Sequence, residues 1–173
     1  MDVGADRITA KADNGTLILH TDSAMYSSMR GPFSSLHARA LCHATEVLDR
    51  VKQAVLNTVG EVDLETKRTA GHHGNEIVVV EAHITDARAM RHLFESLPKN
   101  DREQLSNTLA ERLDDSCNLF LRVDKQPAYD GRIVLAKSDD VILIRLKVNA
   151  YPAKKDIAVQ KTAEFICGLD QGE

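Results

Sequence analysis

Alternating hydrophobic and polar positions predict a series of short β-strands along most of the chain. In Leu36–Cys42, apolar side chains recur at every second position, the period of a strand that buries one face. Most of the predicted strands are separated by short turns, so we expect neighbouring strands to pair antiparallel. The other predicted strands are Val62–Arg68, Ile77–Ile84, Asn118–Asp124, Arg132–Ala136 and Val141–Asn149.

Four segments have instead the 3.6-residue spacing of amphipathic helices. The first follows Thr45, a residue type that caps helix N-termini, and Gly60 ends it. A second helix begins after Asn100, with Glu103 in the position of a capping-box partner. The remaining two helical segments are Ala87–Leu97 and about Ala153–Leu169.

The order of these elements, βαββααβββα, predicts an α+β fold. The helices can cover only part of the sheet, which is typical of a two-layer sandwich with an antiparallel sheet and helices on one face. Residues 1–34 are rich in Ser, Thr, Gly, Asp and Met and lack sustained periodicity. They are predicted to be a flexible N-terminal extension. Residues 35–173 are predicted to form a single α+β domain.

Composition limits the classes of function that the chain can have. Of its 173 residues 43% are hydrophobic and 4% aromatic, which predicts an aliphatic core. No apolar run approaches the roughly 20 residues of a membrane helix, and the N-terminus lacks a signal-peptide pattern, so we expect a cytoplasmic protein. The net charge of −4 argues against a uniformly basic nucleic-acid-binding surface. Acidic residues are concentrated in Asn100–Ser116, which leaves room for a basic face elsewhere.

The segment Glu111–Arg132 carries the most distinctive chemistry. On its strand, Phe120 and Arg122 are predicted to face away from the core, because Leu119, Leu121 and Val123 face it. Basic groups interleaved with aromatic rings pair with phosphates and stack on bases. The predicted RNA contacts in and after the following turn are Lys125, Gln126, Tyr129 and Arg132. The alternative is a polar turn held by an Arg122–Asp124 or Lys125–Asp130 ion pair.

A second candidate segment is Gly71–Asn75, which reads GHHGN. Its adjacent histidines point to opposite sides of an extended chain, so a zinc site would need ligands from elsewhere, such as Cys42 or His43. As a turn between glycines, it offers backbone N–H groups and imidazoles to a phosphate. His72, His73 and Asn75 are therefore a second set of candidate RNA contacts. The plainest alternative is a hairpin turn.

Other catalytic or metal-binding signatures are missing from the sequence. It has no GxSxG, P-loop or GxGxxG motif, and its three cysteines lie far apart. Asp114 and Asp115 form a candidate metal-binding carboxylate pair, although such residues at a helix end more often cap the following turn. We therefore predict no catalytic residues, no metal and no small-molecule cofactor.

The two segments GHHGNEIVVVEA and ERLDDSCNLFLRVDKQPAYDGRIVL resemble a family of archaeal RNA-binding proteins described as predicted exosome subunits and formerly as a domain of unknown function. The resemblance covers about Leu36 to Val148. It implies a fold like that of the ribosomal protein that binds 5S RNA, RNA binding, and association with the archaeal exosome. The matching residues are Gly71, Gly74, Asn75, Arg112, Asp114, Asp115, Arg122, Asp124, Lys125, Gln126, Ala128, Tyr129 and Gly131.

Together these observations predict a non-catalytic RNA-binding protein that serves as an accessory factor of the archaeal exosome or of RNA processing. Its expected partners are RNA and exosome subunits, with no membrane. One alternative is a protein-interaction assembly module without direct RNA contact, and another is a metal-dependent hydrolase built on the histidines and Asp114/Asp115. RNA affinity should depend on whether basic side chains converge on one face of the fold. The side chains in question are Arg39, Arg68, Arg122, Lys125 and Arg132.

Overall fold

The computed structural model describes residues 31–70 and 75–170. The predicted N-terminal extension therefore lies outside the described residues except at its end, where strand β1 begins at Phe33. The candidate contacts His72 and His73 also lie outside them. No helix in these two ranges is long and apolar enough to cross a membrane.

Five strands form one antiparallel sheet in the order β2-β3-β1-β5-β4. Strand β1 occupies the centre because both of its edges are paired, to β3 and to β5. Each of the five overlaps a strand that was predicted from the sequence. Their bounds are β1 Phe33–Cys42, β2 Glu65–Ala70, β3 Glu76–Ile84, β4 Asn118–Asp124 and β5 Val141–Val148.

The sixth predicted strand, Arg132–Ala136, is wrong. This segment runs beside the end of β4 and makes a single bridge, between Leu135 and Val123, rather than a ladder. The backbone N–H of Leu135 donates to the Asp101 carboxylate at 2.7 Å, so it is not available to another strand. Ile133 and Leu135 are buried. The alternation here reflects an extended segment that covers the core.

The helices lie close to their predicted positions, and the helix predicted from Ala87 begins there, whereas the others begin at different residues. The first follows Val47, not Thr45, and Gly60 ends it with a φ of 88° and an N–H bond to Leu56. The predicted capping box at Asn100 does not form, because that helix already begins at Lys99, after Pro98. The bounds are α1 Leu48–Val59, α2 Ala87–Glu95, α3 Lys99–Asn107, α4 Leu109–Arg112, α5 Lys125–Tyr129 and α6 Lys155–Asp170.

The core lies between the helices and one face of the sheet. From Leu36 onward in β1, and throughout β4 and β5, every second residue is buried, whereas the residues between them are intermediate or exposed. The aromatic rings of Phe33 and Phe94 stack at 4.9 Å between centroids, and Phe165 of α6 packs edge-on against both. This arrangement confirms the predicted α+β fold with an antiparallel sheet, and no helix within residues 31–70 and 75–170 covers the other face of the sheet.

Candidate nucleic-acid interface

The side of the sheet that none of the described helices covers, here called the open face, carries three arginines close together. Directly paired residues of antiparallel strands project to the same face. Arg39 of β1 lies opposite Leu143 of β5, and Leu143 lies opposite Arg122 of β4. Arg145 lies two residues beyond Leu143 and therefore on the same face. Leu143 is 46% exposed, and it has an arginine opposite it on each neighbouring strand and a third two residues along β5.

An exposed aromatic ring adjoins this arginine cluster. Phe120 of β4 lies directly opposite Arg145 of β5 and is 46% exposed. Phe120 and Leu143 are diagonal neighbours across two strands, a distance that aromatic side chains bridge. The open face therefore presents an apolar centre flanked by Arg39, Arg122 and Arg145.

Carboxylates reduce the positive charge of the cluster only in part. Arg39 lies 3.9 Å from Glu81, and Arg122 lies 3.3 Å from Asp139, whose side chain is fully exposed. The hydrogen bond from Lys67 to Glu81 lowers the pKa of that carboxyl and outweighs the opposing effect of its burial. Arg145 has no ion-pair partner within residues 31–70 and 75–170.

Two histidines extend the row that contains Phe120 and Arg145. His37 of β1 pairs with His83 of β3 on one side and with Arg145 on the other. Burial lowers the pKa of His37, and the nearby Arg145 and His83 act in the same direction against the opposing charge of Glu81. The row therefore carries an imidazole that is neutral at pH 7.

Lys125 was predicted as an RNA contact, but the structure places its side chain inside the protein. It is 3% exposed, and its ammonium donates to the backbone oxygen of Leu41 at 2.7 Å. The same ammonium binds Glu46 at 2.8 Å and Asp140 at 2.5 Å. Three partners engage the three donors of a lysine, so none remains for a phosphate.

The other predicted contacts after β4 lie on the surface but outside the cluster. Gln126 and Tyr129 lie on α5 beside α1, where the guanidinium of Arg50 is 5.8 Å from the centre of the Tyr129 ring. Arg132 follows α5 and lies 3.7 Å from Asp130. The arginine cluster therefore includes Arg122 but not these three residues.

Asn75 and Arg68 lie near the β2 edge of the sheet, at the other end of the strand order from β4. Asn75 is exposed and directly precedes β3. Arg68 of β2 lies opposite Val78 of β3, and Val78 lies opposite the buried Cys42 of β1. Arg68 is therefore on the face of the sheet that the helices cover. Its guanidinium binds Glu76 at 2.8 Å. Of the five basic residues considered from the sequence, only Arg39 and Arg122 share the open face.

The predicted alternatives to RNA contacts can be compared with the observed ion pairs. The Arg122–Asp124 and Lys125–Asp130 pairs do not form; Arg122 binds Asp139, and Lys125 binds Glu46 and Asp140. Within the described ranges, no three residues of metal-binding type are grouped for a metal. Asp114 caps a turn, as predicted: its carboxylate accepts from the backbone and side chain of Asn118, both at 2.8 Å.

Comparison with known proteins places this chain in a family. A family model described as RNA binding matches residues 35–148, which is most of the chain. The chain belongs to this RNA-binding family. It is 34% identical over 146 residues to RNA-binding protein PAB1135 from Pyrococcus abyssi, covering 79% of this chain and 95% of that protein.

Solved structures of related archaeal proteins have the same fold. Mth689, a DUF54 protein from Methanothermobacter thermautotrophicus, has a TM-score of 0.68 and 30% identity, covering 78% of this chain and 98% of that one. AF2318 from Archaeoglobus fulgidus also has a TM-score of 0.68, with 26% identity, covering 77% of this chain and 99% of that one. Because the match covers nearly the full length of both relatives, this RNA-binding family protein has the same fold as they do.

Sequence reasoning missed Leu143 and Arg145 in this RNA-binding family protein, although the signal was present. Ile142, Ile144 and Leu146 alternate with them along β5, so a strand with those three inward has Leu143 and Arg145 outward. What the sequence does not contain is the strand order. Only the placement of β5 between β1 and β4 joins Arg39, Arg145 and Arg122 into one cluster.

Proposed function

We propose that this protein is a cytoplasmic, non-catalytic RNA-binding protein whose main RNA-contacting surface is the open face of the sheet. One observation carries the proposal: Arg39, Arg122 and Arg145 surround a half-exposed apolar centre formed by Leu143 and Phe120. Guanidinium groups bind phosphates through paired hydrogen bonds, and an exposed ring stacks on bases. In a chain of net charge −4, this cluster concentrates positive charge on one uncovered face.

Two further sets of residues extend the proposed surface. Gln126, Tyr129 and Arg132 lie beyond the end of β4, next to Arg122 in the chain, and are proposed as secondary contacts. His72, His73 and Asn75 are proposed as further RNA contacts. Lys125 instead supports the surface from inside, because its ammonium is fully engaged by protein groups.

We extend this proposal to an accessory role in RNA processing with the archaeal exosome. Its support is the resemblance of the GHHGN and RVDKQPAYDG segments to proteins described as predicted exosome subunits. An antiparallel sheet with one open face also agrees with the proposed likeness to the ribosomal protein that binds 5S RNA. In this role the protein would hold RNA, and the exosome would degrade it.

Fluorescence anisotropy with labelled RNA at low and high salt tests RNA binding on the open face. We expect Phe120→Ala and Arg145→Ala each to weaken binding, and Arg145→Ala also to reduce the salt dependence by one phosphate contact. Arg68→Ala is the matched control, because Arg68 is an exposed arginine that faces the helix side of the sheet. No binding by the wild type at low salt, or equal losses in all three variants, would refute the proposal.

Purification of the protein with the exosome, before and after nuclease treatment, tests the accessory role. Association that nuclease abolishes supports recruitment through RNA. Association that survives nuclease, in a protein that binds no RNA at low salt, would favour the assembly module instead. Lack of association under both conditions would remove the exosome from the proposal and leave RNA binding unaffected.

A further inference from the structure

A groove between α1 and α5 has features that suit a flat heterocycle. It encloses a cavity of about 210 Å³. Its apolar wall includes Val47, which is 56% exposed, and its aromatic wall is Tyr129, which is 41% exposed. The side chains of Arg50 and Gln126 add donors at its edges. We call this the Tyr129 groove.

Of the two basic side chains that line the Tyr129 groove, Arg50 is exposed and Lys125 is buried. Glu46 and Asp140 bind the buried ammonium of Lys125 beneath the groove. Arg50 is exposed, lies against the Tyr129 ring, and has no carboxylate partner among the residues that the structure describes. The ring of Tyr129 can stack on a base, the guanidinium of Arg50 supplies a positive charge, and the amide of Gln126 can form hydrogen bonds. These are the interactions that bind an unstacked nucleobase.

The Tyr129 groove is also connected to the open face by two consecutive residues. Asp139 accepts from the guanidinium of Arg122 at 3.3 Å, and Asp140 accepts from the amide of Gln126 at 3.2 Å. Consecutive Cα atoms are about 3.8 Å apart, so the arginine cluster ends close to where the groove begins. A strand of nucleic acid that leaves Arg122 reaches Gln126 after crossing only this turn.

We propose that the Tyr129 groove binds one unpaired base of the same RNA strand that lies on the open face, which makes single-stranded RNA the substrate class. This inference rests on the proposed function. A duplex keeps its bases paired and stacked, so it cannot place a base against Tyr129 without paying the cost of unstacking. The open face and the Tyr129 groove together bind one extended RNA strand that passes around the end of the sheet.

Anisotropy titrations with oligouridine of about 4 and about 16 nucleotides test this proposal, since these lengths bracket single-domain binding sites. We expect Tyr129→Ala to weaken binding of the longer strand about tenfold, the effect of one lost base stack. The same change should leave a self-complementary duplex unaffected. Tyr129→Phe should bind like the wild type, because the ring remains. Tyr151→Ala is the matched control, because Tyr151 is 92% exposed and follows the far end of β5.

A second variant and a crosslink keep the test independent of folding effects. Arg50→Gln alters an exposed side chain and should also weaken binding of the longer strand. Photocrosslinking with 4-thiouridine should modify the peptide that contains Tyr129. If Phe120→Ala weakens binding while Tyr129→Ala and Arg50→Gln do not, the groove is no base site and the open-face proposal stands. Equal weakening of duplex binding would overturn the single-strand assignment, and absence of any RNA binding would overturn both proposals.

Discussion

The ammonium of Lys125 lies 2.8 Å from the carboxylate of Glu46, although 79 residues separate them in the chain. This ion pair joins α5 to the segment that precedes α1. A third group, Asp140, binds the same ammonium at 2.5 Å. The lysine therefore holds together three segments at one end of the sheet, and two of them, α5 and the segment before α1, also line the Tyr129 groove.

Replacing Lys125 with methionine should lower stability without changing the electrostatics of RNA binding. The substitution keeps the volume of the side chain but leaves two carboxylates without their partner. Removing one partner of a buried ion pair costs about 3–5 kcal/mol, and we expect about 2–3 kcal/mol here because Glu46 and Asp140 are partly exposed. Urea denaturation measures the loss.

Lys137→Met is the matched control for this prediction, because Lys137 is an exposed lysine in the loop before β5. It should leave the urea midpoint nearly unchanged. The slope of log K for RNA against log salt should be the same in Lys125→Met and the wild type. A reduced slope in a Lys125→Met protein of normal stability would show that Lys125 contacts phosphate after all.

A carboxylate placed at the centre of the arginine cluster should abolish its attraction for RNA. In Leu143→Glu, the new charge lies between Arg39 and Arg122, pairs with them, and repels phosphates. We expect at least a tenfold loss of RNA affinity, as anisotropy would measure it. Because Leu143 is half exposed, the cost in folding stability should stay below about 1 kcal/mol.

Leu143→Gln separates charge from shape in this experiment. Glutamine has nearly the same size as glutamate and no charge, so Leu143→Gln should retain most of the affinity. Equal losses in the two variants would mean that the leucine itself makes the contact. Unchanged binding in Leu143→Glu would place the RNA elsewhere on the molecule.

Much of the fold was predictable because burial alone sets the period of its strands. The alternation in Leu36–Cys42 located β1, whereas its pairing with β3 and β5 joins strands that lie far apart in the chain and was not predicted. The same rule failed for Arg132–Ala136, where Ile133 and Leu135 are buried but the backbone bonds to a helix carboxylate and the end of β4. Periodicity reports which side chains are buried, and it does not report what the backbone pairs with.

The candidate site was predictable only where a single strand defined it. The outward positions of Phe120 and Arg122 followed from the inward positions of their neighbours on β4. Lys125 looked like a free cation because its partners, Glu46 and Asp140, come from other parts of the chain. No local pattern distinguishes a buried lysine with distant partners from an exposed one.

Stability at acid pH should depend on Asp114. Burial raises the pKa of this carboxyl, but hydrogen bonds from the side chain and backbone of Asn118 outweigh that effect and lower the pKa below its ordinary value. A carboxyl of this kind contributes stability that is fully present above its unfolded pKa, near 3.9, and is lost as pH falls through the folded pKa. Urea unfolding between about pH 5 and pH 2 should therefore show a steeper loss in the wild type than in Asp114→Asn.

Asp115→Asn is the control for Asp114, because Asp115 is the exposed neighbour in the same turn. It should keep the steep dependence of the wild type. At neutral pH, Asp114→Asn should be less stable than the wild type by about 1 kcal/mol, since a charged hydrogen-bond acceptor is replaced. Parallel pH profiles for Asp114→Asn and the wild type would contradict the assignment.

RNA binding should strengthen as pH falls from about 7.5 to about 5.5, because His37 lies in the row of Phe120 and Arg145. Burial lowers the pKa of His37 in the free protein, so the imidazole is neutral at pH 7. The charged groups that face it are Glu81, which favours protonation, and Arg145, His83 and Arg39, which oppose it. A phosphate on the open face favours the protonated form, so RNA raises the pKa and binding takes up a proton.

Anisotropy titrations across this pH range measure the effect, with His37→Gln as the test variant. Glutamine does not titrate, so we expect the variant to lose most of the gain in affinity at low pH. His92→Gln is the control, because His92 belongs to α2 on the helix side of the sheet. The RNA affinity measured at pH 7.5 should be similar in the wild type and the two variants, since the imidazole is neutral there. A full pH dependence in His37→Gln would assign the titration to another group and place His37 outside the path of the RNA.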